Sequence, residues 1–396
     1  MQVDVAIVGA GLVGASLAAA LADSGLKLAL IERAPPAAPG ADWDSRVYAL
    51  SPASVAFLEE IGAWRRLDAA RVTPIHEMRI YGDDGRSRLD FSAYESGVLE
   101  LAATVESGRL QHALWQGLET QRNLVLLCPA VPSQLHDGKS GVEIRLENGG
   151  SVTAKLAVGA DGANSWLRHA AGFEVSAERY GQSGVVANFA CARPHRNIAY
   201  QWFRSDGVLA YLPLPQQRIS IVWSTPESHA RELIALSPAA LCARVAAAAG
   251  GTLGELEPVT PAAAFPLSRL SATRRVRPRF ALVGDAAHVV HPLAGQGVNL
   301  GFGDACALAR LLLGNRVADP GDYLLLRRFE RVRAEDILAL RWITDGLVRL
   351  FGSSHPVAAR ARNFGLNLTN SMPVIKTLLA RRAIGAGRGH HHKESS

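Results

Sequence analysis

Residues 3–33 constrain this chain more than any other stretch. Val3 to Val8 is a run of strand formers, and Gly9-Ala-Gly11-Leu-Val-Gly14 follows. Ala15 to Ser24 is an Ala/Leu-rich helical stretch closed by Gly25, and Leu28 to Ile31 is a second strand ending in Glu32-Arg33. In such a strand–turn–helix–strand unit the first glycine makes a tight turn and the second lets a pyrophosphate approach the backbone. The third lets helix and strand pack closely. The helix N-terminus faces the phosphates, and Glu32 is placed for the ribose hydroxyls. The spacing predicts a dinucleotide site. It does not by itself choose between NAD and FAD; the motif's place at residue 9, with no catalytic domain ahead of it, favours FAD as a tightly held cofactor.

Two later stretches repeat the theme of a buried strand ending in a Gly/Asp turn. Val152 to Val158 runs into Gly159-Ala-Asp161-Gly162-Ala-Asn164-Ser165, where Ser165 or Asn164 can cap the next helical turn. Ala281 to Val283 runs into Gly284-Asp285. A turn-rich loop from Pro292 to Gly297 comes next, and then helical spacing of Leu300, Ala305, Leu308 and Leu312. A strand-end carboxylate can grip a hydroxyl. A glycine loop opening a helix can hold a delocalised anion, such as a reduced flavin ring. Taken alone, each turn also reads as an ordinary connection with a satisfied Asp.

The stretches between are less specific. Ser51-Pro52 opens a helix running to about Ile61, and Arg46 lies just ahead of it, either touching the cofactor or in a surface salt bridge. Met78 to Tyr81 and Ser87 to Phe91 flank a hairpin turn, and Leu99 to Thr104 reads as a strand. Glu106 to Thr120 reads as a helix with Arg109 on its first turn. From Gly184 the texture changes to four antiparallel strands at 185–191, 198–204, 208–212 and 218–223. They carry Phe189, Tyr200, Trp202, Phe203, Tyr211 and Trp223, and a helical stretch follows from Pro226 to Ala249. An aromatic sheet face inserted into a dinucleotide fold is expected to form a lid over the cofactor's reactive end; plain core packing is the other reading.

With 396 residues, 48% hydrophobic and 20% charged, the chain has room for two domains or one with an insertion. The formal charge is +6 and the pI about 9.3. Arginines cluster at 274–279, at 327–333 and near the end. No nucleic-acid module is present, which leaves a solvated surface or an anionic membrane face. Pro373 to Ile384 mixes apolar and basic residues and either docks on the core or lies on a membrane or partner. Cys128, Cys191, Cys242 and Cys306 have neither disulfide nor zinc spacing, so they are expected to be reduced in a cytoplasmic protein without a metal. The start lacks a basic segment and carries Asp4, so no signal peptide is expected. The tail at 386–396, with His390 to His392, is expected to be disordered.

The glycine turn with Glu32, GADGANS at 159–165 and GDAAHVVHPLAGQGVNLGFGD at 284–304 together resemble the class A flavin-dependent monooxygenases, which share the para-hydroxybenzoate hydroxylase fold. The 291–304 stretch, Arg46 with Ala49-Leu50-Ser51, and the end of the chain resemble more narrowly the ubiquinone-biosynthesis hydroxylase family. The implied fold class is α/β: an FAD-binding Rossmann-like domain (1–75, 105–180, 272–345), an interleaved antiparallel substrate sheet (76–104, 181–271) and a C-terminal helical region (346–385). The resemblance implies that Gly9, Gly11, Gly14 and Glu32, with the adjoining Arg33, hold the ADP half of FAD. Asp161 and Gly162 would serve FAD and the nicotinamide donor, and Asp285 the ribityl chain. Pro292, Gly295, Gln296, Gly297, Val298 and Asn299 would line the flavin ring, with Arg46 and Arg109 near the flavin or its diphosphate.

The implied reaction is hydroxylation of a polyprenylated phenol or benzoquinol through a flavin C4a-hydroperoxide, with NAD(P)H or another electron donor and O2. The protein must then stabilise anionic reduced flavin, exclude water and polarise the phenol. No base stands out for the last role; Tyr211, His291 and Pro292 are candidates, the first two by residue type alone, beside His288 and Tyr200. The implied partners are the apolar aromatic substrate, a membrane surface at the inner face and other ubiquinone-biosynthesis proteins. Two readings compete: the same fold acting on another aromatic, and a flavin-binding scaffold subunit.

Overall fold

The computed structural model describes residues 1–84, 86–138, 141–290, 297–314 and 318–352, with backbone alone at 336 and 339–352. Its frame is a sheet in which Leu124–Leu127, Leu28–Ile31, Gln2–Val8, Ser151–Gly159 and Phe280–Leu282 lie side by side, all parallel, and Val276–Arg277 closes the edge antiparallel. The central strands are near-continuous runs of Val, Ile, Leu and Ala because both faces are covered, as parallel sheets require. Val5, Ile7, Leu156 and Val158 pack with Leu17, Leu114, Phe302 and Leu308 on one face; Ala6, Ala157 and Leu282 pack with Leu167 and Phe173 on the other.

The covering helices are Leu12–Ala20, Ser107–Leu118 and Gly297–Leu313. The helix Pro52–Glu60 begins where expected, with the Ser51 hydroxyl accepting from the Ser54 amide. Likewise Ser165 accepts from the Arg168 amide and caps Trp166–Ala170. The strand expected over 99–104 is Ala102–Glu106 instead. It forms a small sheet with Val47–Leu50 and Thr73–Ile75.

A second, mostly antiparallel sheet carries Val175–Cys191, Arg218–Pro226, Gly207–Leu214 and Ile198–Arg204, continued by Glu77–Tyr81 and Arg88–Ser92. Its longest pairing is with Ala263–Ala272, a strand absent from the sequence reading. Pro266 and a broken polar pattern hide that strand. The expected helical stretch is two helices, Glu227–Ala235 and Pro238–Ala248.

The aromatic lid is corrected. Phe189, Tyr200, Tyr211 and Trp223 share a buried cluster with Leu233, Leu241 and Val245 of those two helices. Trp202 stacks on Tyr81 and Tyr200 at centroid distances of 5.8 and 5.6 Å and meets Tyr211 edge-on at 4.8 Å. Strand alternation puts the opposite set of side chains on the other face. There Ala199 and Leu212 join Ile75, Ala93 and Ala102, and Thr104 Oγ1 donates to the Pro213 carbonyl at 2.6 Å. Phe189, Tyr200, Trp202, Tyr211 and Trp223 hold the sheet to its own helices; the opposite face is mostly aliphatic, with Met78 and Phe91 packed against its cluster, and alternation puts buried Phe203 on that side with Ala199. Among the described residues no helix is long and apolar enough to cross a membrane. The expected helical region 346–385 is described only as far as Gly352, and the tail at 386–396 lies outside the described residues.

Candidate functional site

The three glycine turns, the second and third carrying Asp161 and Asp285, sit at the carboxyl ends of neighbouring parallel strands, where the chain crosses from one side of Gln2–Val8 to the other. Open α/β sheets bind ligands at such a switch point. Gly9, with φ 98°, leaves no room for a side chain: a Cβ there would lie 2.5 Å from the Ala160 carbonyl oxygen. A Cβ on Gly14 would lie 1.9 Å from the Gly9 oxygen. The first turn therefore presses on the second, and Ala160 N donates to Val8 O at 2.8 Å. The third turn meets the first through Val13, whose side chain would be 3.0 Å from a Cβ on Gly284 and 2.5 Å from one on Gly301. Three motifs spread over almost 300 residues of sequence thus close on one point.

The residues left facing the cleft fit FAD. A Cβ on Gly11 would meet no protein atom within 4 Å. Gly11 is also the N-cap of Leu12–Ala20 and offers no capping side chain. The first-turn amides of that helix are left for an anion. Glu32 Oε2 accepts from Ala10 N at 2.6 Å, which places the carboxylate beside that turn. Asp161 Oδ2 accepts from Leu167 N at 3.0 Å; its Oδ1 is buried without a hydrogen-bond partner among the described residues. Asp285 is reached by solvent, yet surrounding protein raises its carboxyl pKa by desolvation, against the pull of His288 and Arg46. A carboxylate both wet and hemmed in lies on the wall of a concave site. Arg46 faces it and stacks its guanidinium 4.6 Å from the Phe265 ring centroid.

Other expected residues have different work. Arg109 donates from Nε to Glu106 at 3.0 Å and from a terminal nitrogen to Gly40 O at 2.9 Å. Glu106 is 1% exposed. It also accepts two bonds from Arg71, both at 2.8 Å, and one from Asp44 N at 2.8 Å. Arg109 is therefore part of a clamp on the 40–46 loop. Asn299 Oδ1 accepts from Ser51 N at 2.9 Å and from Ser54 Oγ at 2.8 Å, and its Nδ2 donates to Ala49 O at 2.9 Å. Its amide fastens the first turn of Gly297–Leu313 to the neighbouring strand and helix, leaving backbone rather than side chain for a ring. Gly297 and Val298 open that helix half-buried, and Arg33 is exposed. Gly162, with φ 78°, turns the chain after Asp161. Tyr211 is buried, donates to the Val245 carbonyl at 2.9 Å and has its pKa pushed up by burial. That puts it in the core, apart from the cleft. His291, Pro292, Gly295 and Gln296 lie outside the described residues.

Three sets of residues escaped the sequence reading. Buried Asp304 accepts from Gly284 N at 3.0 Å, lies 2.6 Å from His288 Nε2 and accepts from Arg333 Nε at 2.8 Å. Burial pushes its carboxyl up, but His288 and Arg333 outweigh that and hold it at about 2. Buried Arg168 donates to Ala163 O at 2.7 Å and Ala286 O at 3.1 Å, joining the second turn to the third. Gln111 and Trp115 both donate to Ala10 O, at 2.6 and 3.0 Å, and fix the first turn from behind. The only available signal was the charge of Asp304 and Arg168 inside otherwise apolar stretches.

The chain is similar to known proteins over most of its length. Residues 2–334 match the FAD binding domain family. The chain is 36% identical to the 3-demethoxyubiquinol 3-hydroxylase of Escherichia coli, covering 96% of this chain and 98% of that one. It is 38% identical to the ubiquinone hydroxylase UbiL of Rhodospirillum rubrum, covering 96% and 89%. In fold it is similar to the p-nitrophenol 4-monooxygenase PnpA of Pseudomonas putida, with a TM-score of 0.78 at 17% identity over 98% of this chain and 99% of that one.

Proposed function

The chain belongs to the class A flavin-dependent monooxygenases, in the ubiquinone-biosynthesis hydroxylase family, and from that membership we propose that it hydroxylates the ring of a polyprenylated phenol or benzoquinol on the route to ubiquinone. It is an FAD enzyme that uses O2. The observation that carries the reading is the meeting of three turns, the second against Gly9 and Gly14 of the first and the third against its Val13, which brings Gly11, Asp161 and Asp285 onto adjoining turns. When bound, FAD accepts electrons from a reduced donor, here taken as NAD(P)H, and activates O2.

The protein's own part is positional and electrostatic. Gly11 and the open N-terminus of Leu12–Ala20 take the pyrophosphate, and Glu32 the adenosine ribose. Asp285 takes a ribityl hydroxyl and Asp161 a further donor. Arg46, held on Phe265, keeps positive charge beside the flavin, where it favours an anionic ring. The apolar face of the second sheet around Ala199, Leu212 and Phe91 shuts water out. Work on the cytoplasmic face of a membrane belongs to the same proposal, supported by the apolar quinol that the Escherichia coli relative is named for.

The test is to purify the protein, identify the flavin released on denaturation, and measure flavin reduction with and without a prenylated phenol. FAD release with substrate-accelerated reduction and a hydroxylated product supports the reading. FAD retained with no acceleration and no product would make the chain a flavin-binding scaffold and overturn it.

A further inference from the structure

A second concave site, lined by none of the residues assigned to FAD, lies between the chain leaving Ala263–Ala272 and the start of the helix Tyr323–Gly352. Thr273, Arg274 and Arg275 form one wall, and Tyr323, Arg327 and Arg331 the other, around a cavity of about 480 Å³. That is within the size range of small-molecule sites. Four guanidinium groups line it against one carboxylate, Glu330. That carboxylate is already used: Oε1 accepts from Arg275 N at 2.7 Å, and Oε2 pairs with Arg327. Arg274 and Arg331 are both exposed, and neither has a hydrogen-bond or ion-pair partner among the described residues.

We propose that the hollow between Thr273–Arg275 and the first three turns of Tyr323–Gly352 binds a phosphate group. Arginine is the side chain best suited to it: the planar fork matches phosphate oxygens bidentately and is more weakly hydrated than an ammonium. Neighbouring arginines show that the surplus is local. Arg277 donates to the Ala171 carbonyl and lies over Phe173. Arg279 pairs with Asp319 at 3.0 Å. These two are spent on the fold, whereas the pocket gathers cations that would repel one another without an anion. Leu324 and Val332, 72% and 55% exposed, stand on the same helix next in sequence to the lining residues Tyr323 and Arg331. The phosphate can come from a lipid headgroup, with these side chains entering the interface, or from a soluble phosphate ester.

The two sources separate in one experiment on the FAD-loaded full chain. Sedimentation with phosphatidylcholine vesicles, with and without phosphatidylglycerol, reads the lipid arm; calorimetric titration with inorganic pyrophosphate reads the soluble arm. Arg274→Glu/Arg331→Glu is compared with Arg328→Glu, an exposed arginine outside the lining. Each lost basic side chain weakens attraction to an anionic surface several-fold, so the double variant is expected to lose on the order of tenfold or more. Selective loss in the vesicle arm assigns a lipid headgroup, and selective loss with pyrophosphate assigns a soluble phosphate. Flavin absorbance of the double variant shows that its fold is intact. Indifference of both arms to it, or equal loss in Arg328→Glu, overturns the proposal.

Discussion

His288 Nε2 lies 2.6 Å from Oδ2 of Asp304, and both side chains are buried. The same carboxylate oxygen accepts from Gly284 N, so this pair sets the turn that aims Asp285 at the cleft. Asp304→Asn leaves the buried Arg333 guanidinium without its counter-charge and disturbs the contact to His288, and is expected to cost about 3 kcal/mol, read as a lower denaturant midpoint. Because the Asp304 carboxyl is held at about 2, below its ordinary 3.8, its stabilisation is complete above pH ~4 and is lost as pH falls through about 2. Acid unfolding of Asp304→Asn should lack that component. An unchanged acid limb in the variant would remove Asp304 from the account.

Gly11 and Gly14 separate ligand space from folding space. A side chain on Gly14 meets the Gly9 backbone, whereas one on Gly11 meets nothing. Gly14→Val is expected to prevent folding, and Gly11→Val to give a folded, colourless protein. Circular dichroism with visible absorbance distinguishes them; a yellow Gly11→Val would exclude the pyrophosphate role.

Asp285→Asn tests the ribityl contact. Loss of a charged acceptor should weaken FAD by about 1.5–3 kcal/mol, tenfold or more in Kd. Desolvation raises the Asp285 carboxyl pKa, so the ionised group opposes folding of the cofactor-free protein at neutral pH. The variant without FAD should then be as stable as the parent or more so. Weaker FAD binding combined with a large loss of apo stability would point to a structural Asp285 instead.

Glu106 gathers Arg71, Arg109 and the Asp44 amide. Glu106→Gln removes the charge under two arginines and is expected to cost about 3 kcal/mol. It should also expose the 40–46 loop to proteases sooner than the rest of the chain. Uniform cleavage would show that the loop is held by something else.

Tyr211→Phe removes one buried hydrogen bond to Val245 O. The expected cost is about 1 kcal/mol of stability with turnover unchanged. A fall in turnover without loss of stability would return Tyr211 to the catalytic candidates.

The nucleotide fold was legible because its rules are local. Gly9, Gly11, Gly14 and Glu32 sit at spacings fixed by the geometry of one turn and one helix, and Ser51 and Ser165 announce helix starts within three residues of themselves. The direction of the aromatic face was not local. Alternation says that Tyr200, Trp202 and Tyr211 share a side, but only the placement of the helices at 227–248 decides which side is covered. Function-bearing charges divide in the same way. Asp285 could be read from its turn, whereas the partners of Asp304, Glu106 and Asn299, apart from Arg109 three residues from Glu106, come from 16 to 250 residues away. Side-chain type fixes that a buried carboxylate or amide must be satisfied; which distant groups satisfy it is chosen by the packing of the whole chain. The sequence alone therefore determined the cofactor fold and its turns, and tertiary structure decided which polar residues face the ligand and which hold the frame.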